Sequence, residues 1–176
     1  MATPDTTTMI AMLDAFPAVL RAVVVGLSDA QVRWKPSPGD WSIIEVLRHL
    51  EDEEHEDFPP RLRSTLEDPQ RKWEPIEPQA WPADRDYANA DLAATLDGFA
   101  SERARTLAWF RGVCERGDAD WTASYAHWVQ VERCAGDLLA AWVAHDQLHL
   151  RQITKRRFQL VAKACEGFTL DYAGEW

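Results

Sequence analysis

The chain has 176 residues, 46% apolar and 27% charged, the composition of one globular domain able to bury a core of its own. A formal net charge of -10 repels phosphate backbones and anionic lipid, so neither nucleic acid nor a membrane is expected as a partner. Three scattered cysteines, Cys114, Cys134 and Cys165, contain no C-x-x-C pair and fit the reduced thiols of a cytoplasmic protein.

The N-terminus, "MATPDTTT", is polar and acidic, unlike a signal peptide, and apolar runs such as "AVVVGL" are too short for a bilayer. A first helix is expected from about Thr6 to Leu27, because Ile10, Leu13, Phe16, Leu20, Val23, Val24 and Leu27 recur at steps of three and four. Pro17 lies inside it and predicts a kink or a restart. "KPSPGD" then breaks the chain. The second helix opens at "WSIIEVLRHLEDEEHEDF", where Ser42 and Glu45 form a capping box and Ile43, Leu47, Leu50 and Phe58 form the apolar stripe. Prolines at 59 and 60 are expected to kink or interrupt it before "RLRSTL". The acid run "EDEEHED", residues 51 to 57, reads as a solvated helix face.

A Pro-rich connection follows, "EDPQRKWEPIEPQAWPADRDYAN". Its length marks it as functional or as hiding a short element. The third helix is expected from about Ala90 to Cys114, with Leu92, Leu96, Phe99, Leu107, Phe110 and Val113 facing inward. The irregular "RGDADWTASYAHWVQVE" leads to a fourth helix from about Arg133 to Lys163, and the tail "GFTLDYAGEW" is expected to pack on the outside. Four long helices, no repeat and no alternating strand pattern argue for an all-α, single-domain four-helix bundle over residues 1–165, with a C-terminal tail over 166–176. Nine tryptophans are many for this length, and their size and indole N–H suit a core or a pocket edge.

On a wheel of about 100° per residue, Leu138, Leu139, Trp142, Leu150 and Ile153 of the fourth helix share one side. Asp137, Gln147, Arg151 and Lys155 share the other. His145 and His149, in "WVAHDQLHLRQI", fall on the apolar side with Gln152 near them. A single inward histidine is usually a satisfied core residue. Two at i and i+4 meet each other, and burying both without a partner is costly. One divalent ion satisfies both, so the spacing leaves a metal half-site and a core pair both open. A third donor would be His49, His55 or His127. His49 lies off the centre of its helix's apolar stripe and reads as a boundary residue. His55 sits in the acid run and reads as solvated, and His127 is a loop residue that spacing does not place. Arg103 falls at the centre of the third helix's stripe, between Phe99 and Phe110. A guanidinium there needs an anion: an internal partner such as Glu45, Asp52 or Glu53, or a substrate carboxylate.

Taken together, "WSIIEVLRHLEDEE" and the later "HDQLHLRQI" resemble the DinB/YfiT-like superfamily of four-helix bundles. "MLDAFPAVLRAVVVGLSDAQVRWKPSPGDW" and "LDGFASERARTLAWF" fit the same pattern, and the resemblance ends near Gln159. It implies long crossover connections and one divalent metal, zinc or nickel, on three histidines. By position these are His49, His145 and His149. Relatives of this kind include thiol-dependent S-transferases and a mycothiol-dependent isomerase, and others known only as stress-induced proteins. Three histidine ligands leave an open position, as catalytic sites do. That position takes water, as in a hydrolase, or a low-molecular-weight thiol, as in an S-transferase. Arg103 and Gln152 would then bind a polar group of a small-molecule substrate, and Asp146 would support a ligating ring or contact another helix. The rival reading is a non-catalytic stress-response protein, a homodimer in which the metal staples the second helix to the fourth. A di-iron centre is excluded, since no histidine follows a glutamate at three residues. His-Glu-x-x-His, a glycine-rich phosphate loop and a G-x-S-x-G elbow are absent as well.

Overall fold

Polar side chains mark where most of the helices begin. The computed structural model describes residues 3–127 and 133–174. Asp5 caps α1 (Thr6–Val24), accepting from Thr8 N at 3.1 Å. Helix α1 runs through Pro17 as one element. A short α2 (Asp29–Val32) follows, and then α3 (Ile43–Glu56), opened by the expected capping box: Ser42 N donates to Glu45 Oε2 at 2.7 Å, and Glu45 N to Ser42 Oγ at 3.5 Å. The break after α3 falls at Asp57 (φ -116°, ψ -96°), and α4 (Phe58–Glu67) starts at once. Pro59 and Pro60 therefore open a new helix, in the first turn where the N–H that proline lacks has no partner anyway. The Pro-rich connection does hide short elements, α5 (Trp81–Asp84) and a 3-10 turn (Tyr87–Asn89). Asp91 caps α6 (Leu92–Arg116), and Gly117, at φ +66°, ends it in the left-handed region that glycine tolerates best. The last long helix is α7 (Ala135–Ala164). No strand occurs among the described residues, and residues 128–132 of the stretch before α7 lie outside them.

Helices α1 and α3 each pack on both α6 and α7, so the ring order is α1, α6, α3, α7. Helices α1 and α3, and again α6 and α7, which follow one another along the chain, thus stand across the diagonal, and long connections are what this order requires. Helix α4 lies outside, against α3 and α7. By length and mean hydropathy (1.5), α1 meets the description of a membrane span, contrary to the short apolar runs read from the sequence. In the bundle it buries a stripe of Leu13, Phe16, Leu20 and Val24. The apolar core has two parts. One gathers Leu20, Ile44, Leu47, Phe99 and Ile153, and the other Leu13, Leu62, Leu107, Phe110, Leu139 and Trp142.

Arg103 touches both parts and is only 1% exposed. Its Nη1 donates to Leu13 O (3.0 Å) and Asp146 Oδ2 (2.8 Å), and its Nη2 to Asp146 Oδ1 (3.0 Å). Its Nε lies 3.0 Å from Glu54 Oε1, off the hydrogen-bonding direction, as a close ion pair. The faces of Phe99 and Trp142 lie 4.7 and 5.2 Å from its central carbon, as cation–π neighbours. Glu54 Oε2 also accepts from Trp142 Nε1 at 3.0 Å. The expected substrate-binding role of Arg103 is therefore corrected: its anions are internal, and they are Glu54 and Asp146 rather than Glu45, Asp52 or Glu53.

The reading of "EDEEHED" as a solvated face is corrected too, because Asp52, Glu53 and Glu54 are all buried. Asp52 accepts from Tyr87 Oη (2.6 Å) and pairs with Arg48 Nη2 (2.7 Å) and Arg85 Nη1 (2.9 Å). These bonds dock the α5 segment on α3. Among the described residues of the tail, 166–174, Phe168 and Tyr172 are 82% and 105% exposed and only Leu170 is half-buried. The tail's 3-10 turn (Asp171–Ala173) buries no residue, so it gains nothing from the bundle's apolar surface.

Removing one member of a buried ionic group strands the others. Arg103→Met is expected to lower unfolding free energy by about 3–5 kcal/mol in urea titrations. Unchanged stability with lost activity would return Arg103 to the substrate site.

Candidate metal centre

Helices α3 and α7 pack side by side in the bundle, and three imidazoles meet between them. His49 comes from α3, and His145 and His149 from successive turns of α7. One ring nitrogen of each lies within 4.8 Å of the other two. The Nε2 atoms of His145 and His149 are 3.0 Å apart. The His49 ring centroid lies 4.8 Å from that of His149 and 5.5 Å from that of His145. Asp146, next to His145, is held on both oxygens by Arg103, and this fixes the rotation of α7 that turns the two histidines toward α3.

The helix wheel places His49 at a boundary, yet it is only 6% exposed. The wheel counts helix neighbours, whereas the cover here comes from connections. Trp41, just before α3, meets the His49 ring edge-on at 4.9 Å, and Trp81 of α5 lies 6.3 Å away. Trp81 is itself held by the Arg85 guanidinium 4.5 Å over its ring. Phe58 packs against His145 at 4.8 Å. His145 and His149 remain half-buried, so the α7 side of the cluster reaches solvent.

Gln152, expected to bind substrate, instead faces a histidine: its Oε1 lies 2.9 Å from His149 Nδ1. An Nδ1–H donated to that oxygen leaves the His149 Nε2 lone pair free and aims it at the cluster. His55 is exposed and sits 3.4 Å from Glu102. His127 Nε2 lies 2.9 Å from Gln70 O and tethers two loops. Neither joins the cluster, so the third histidine is His49. Sequence reasoning missed Trp41, Trp81, Phe58 and Glu53. Glu53 carried one available signal, the i+4 step from His49 that places both on one face of α3. Its Oε1 is 3.7 Å from His49 Nε2.

Burial, and then the charge of His149, push His49 down to about 3. Burial and the same neighbour, followed by His49 and Arg103, take His145 to about 3. Burial lowers His149 as well, against the hydrogen bond to Gln152. All three rings are thus neutral at pH 7, the form in which imidazole ligates metal. His49 makes no hydrogen bond among the described residues, and its Nδ1 is buried without a partner. Unsatisfied buried polar atoms are costly, and a shared cation removes that cost. Three imidazoles suit zinc, nickel, copper or iron better than magnesium or calcium. The donor set therefore fits one transition-metal ion. A separate groove of about 690 Å³, lined by Arg61, Trp73, Glu102 and Arg105 among others, contains none of the three histidines.

A family model described as the DinB superfamily matches residues 12–153, so the chain belongs to that superfamily. Among solved structures, the chain is similar to YfiT from Bacillus subtilis, described as a probable metal-dependent hydrolase with an unusual four-helix bundle topology. The TM-score is 0.78 at 20% identity, over 92% of this chain and 90% of that one, a likeness of fold. Curated protein sequences give no match.

Purified protein is expected to carry about one divalent ion per chain by elemental analysis. His49→Ala, His145→Ala and His149→Ala should each release it, and full retention in all three would sink the site. In the metal-free protein, His49 and His145 sit near 3 when folded, against 6.5 in an unfolded chain. The unfolded state therefore takes up protons first. The stability these residues contribute is complete above pH 6.5 and is lost as pH falls toward 3. His145→Gln should flatten that acid limb in urea melts run between neutral and acidic pH.

Proposed function

We propose that this member of the DinB superfamily is a metal-dependent hydrolase acting on a small-molecule substrate, with His49, His145 and His149 as ligands of one divalent ion. The observation that carries this reading is the convergence of three neutral imidazoles, with no fourth donor in the same cluster among the described residues, on a side that opens to solvent. Closed four-ligand sites serve structure, and three-ligand sites leave a position for chemistry. The partial exposure of His145 and His149 weighs in the same direction against a purely structural staple.

A divalent ion bound there supplies Lewis acidity and lowers the pKa of water or of a thiol. The chain's own groups do the rest. Gln152 orients His149. Trp41 and Trp81 keep water from His49, and Phe58 gives the His145 side an apolar wall. Arg103 is committed inside the bundle, so it does not meet a substrate anion. The free cysteines flank helix ends, Cys114 near the close of α6 and Cys134 and Cys165 bracketing α7. A thiol for S-transfer would therefore be a low-molecular-weight cosubstrate.

The test is a panel of activated esters, amides and phosphoesters offered to zinc- or nickel-loaded protein, with and without small thiols. Hydrolysis without thiol, abolished by chelation and by His149→Ala, is the expected result. Gln152→Ala should cost about 10–100-fold in metal affinity or turnover. Turnover only with thiol would make the reaction S-transfer. Metal that raises Tm without any turnover would make the site a staple.

A further inference from the structure

Beyond Glu45, which pairs with Lys35, helix α3 buries three more acids beyond nine-tenths: Asp52, Glu53 and Glu54 are 2%, 5% and 2% exposed. A buried carboxylate is costly unless a cation meets it. Asp52 has Arg48 and Arg85, and Glu54 has Arg103. Glu53 has no direct ion pair with an arginine or lysine among the described residues. Its charged neighbours are Asp57, with which it shares a hydrogen bond, Asp52, and Arg61. Arg61 is already committed to Asp57, Nη1 to Oδ1 at 2.8 Å. What Glu53 does face is the histidine cluster, with its Oε1 3.7 Å from His49 Nε2.

We infer that Glu53 is a charge-offsetting neighbour of the metal centre, outside the three histidine ligands, its carboxylate set beside His49 to offset the charge of the bound divalent cation. The cation completes for Glu53 what arginines complete for Asp52 and Glu54. The inference rests on the metal reading above. Glu53 Oε1 lies 3.7 Å from His49 Nε2 but outside the 4.8 Å cluster of the three histidines, so the ligand set and its open position are unchanged. Three neutral imidazoles leave a divalent charge whole, and one carboxylate halves it.

The experiment compares wild type, Glu53→Gln, Glu53→Asp and, as a control acid of the same helix paired with Arg48, Glu51→Gln. Zinc affinity is read by chelator competition, coordination by the visible spectrum of cobalt(II)-loaded protein, and folding by circular dichroism. Glu53→Gln is expected to bind zinc about 10–100-fold more weakly and to alter the cobalt bands. Its metal-free form should melt no lower than wild type, since a buried carboxyl pair is relieved, while Glu51→Gln leaves affinity and spectrum unchanged. Should Glu53→Gln not fold, Glu53→Asp carries the same expectation in weaker form. Glu53 variants that match wild type in both affinity and spectrum overturn the inference and leave the three-histidine site standing. Wild type that binds no divalent ion overturns both.

Discussion

Arg103 reaches from α6 into the middle of the bundle and meets one group from each of the other long helices: Leu13 O on α1, Glu54 on α3 and Asp146 on α7. Burial disfavours its charge, but Glu54 and Asp146 more than compensate and hold the guanidinium protonated. Burial also pushes the Asp146 carboxyl up to about 6 despite Arg103. Donation to both of its oxygens nevertheless marks the carboxylate form. Such a group adds less to stability than apolar packing of the same volume would, because desolvation offsets most of the attraction. What it supplies is direction. Hydrogen bonds tolerate only small errors of angle, so the clamp admits one rotation of each helix.

That rotation is what makes the site. Asp146 adjoins His145, and Glu54 adjoins Glu53, so the bonds that lock the core also turn His145, His149 and His49 toward a common point and set Glu53 beside His49. Core and site are one arrangement seen from two sides. A second knot, around Asp52, docks the α5 segment and brings Trp81 beside His49. Trp41 closes the ring from the opposite connection. The connections are therefore part of the site: they dry His49 and keep its ring neutral, while α7 stays open to solvent.

Much of this was legible in the chain. Ser42 and Glu45 marked the start of α3, because a capping box works through local hydrogen bonds. The inward side of α7 was legible from periodicity, and the third histidine from family resemblance. Prolines 59 and 60 marked the interruption of the second helix, while only the backbone at Asp57 decides that they open the next helix rather than follow the end of the last. The acid run misled. Its charges suggested solvent, yet the cations that allow Asp52 and Glu54 to be buried lie far away in sequence, at Arg85 and Arg103.

By itself, the sequence determined the helices, the all-α class and the pairing of His145 with His149, because caps, periodicity and i, i+4 spacing act within a few residues. The family, too, was readable from "WSIIEVLRHLEDEE" and "HDQLHLRQI". Tertiary structure alone decided that His49 is buried, that Gln152 serves His149, that Arg103 is spent inside the core and that Glu53 faces the triad. Each of these depends on groups brought together from distant parts of the chain. A helix wheel carries no record of what will pack against it, and for a buried charge the identity of that neighbour decides its role.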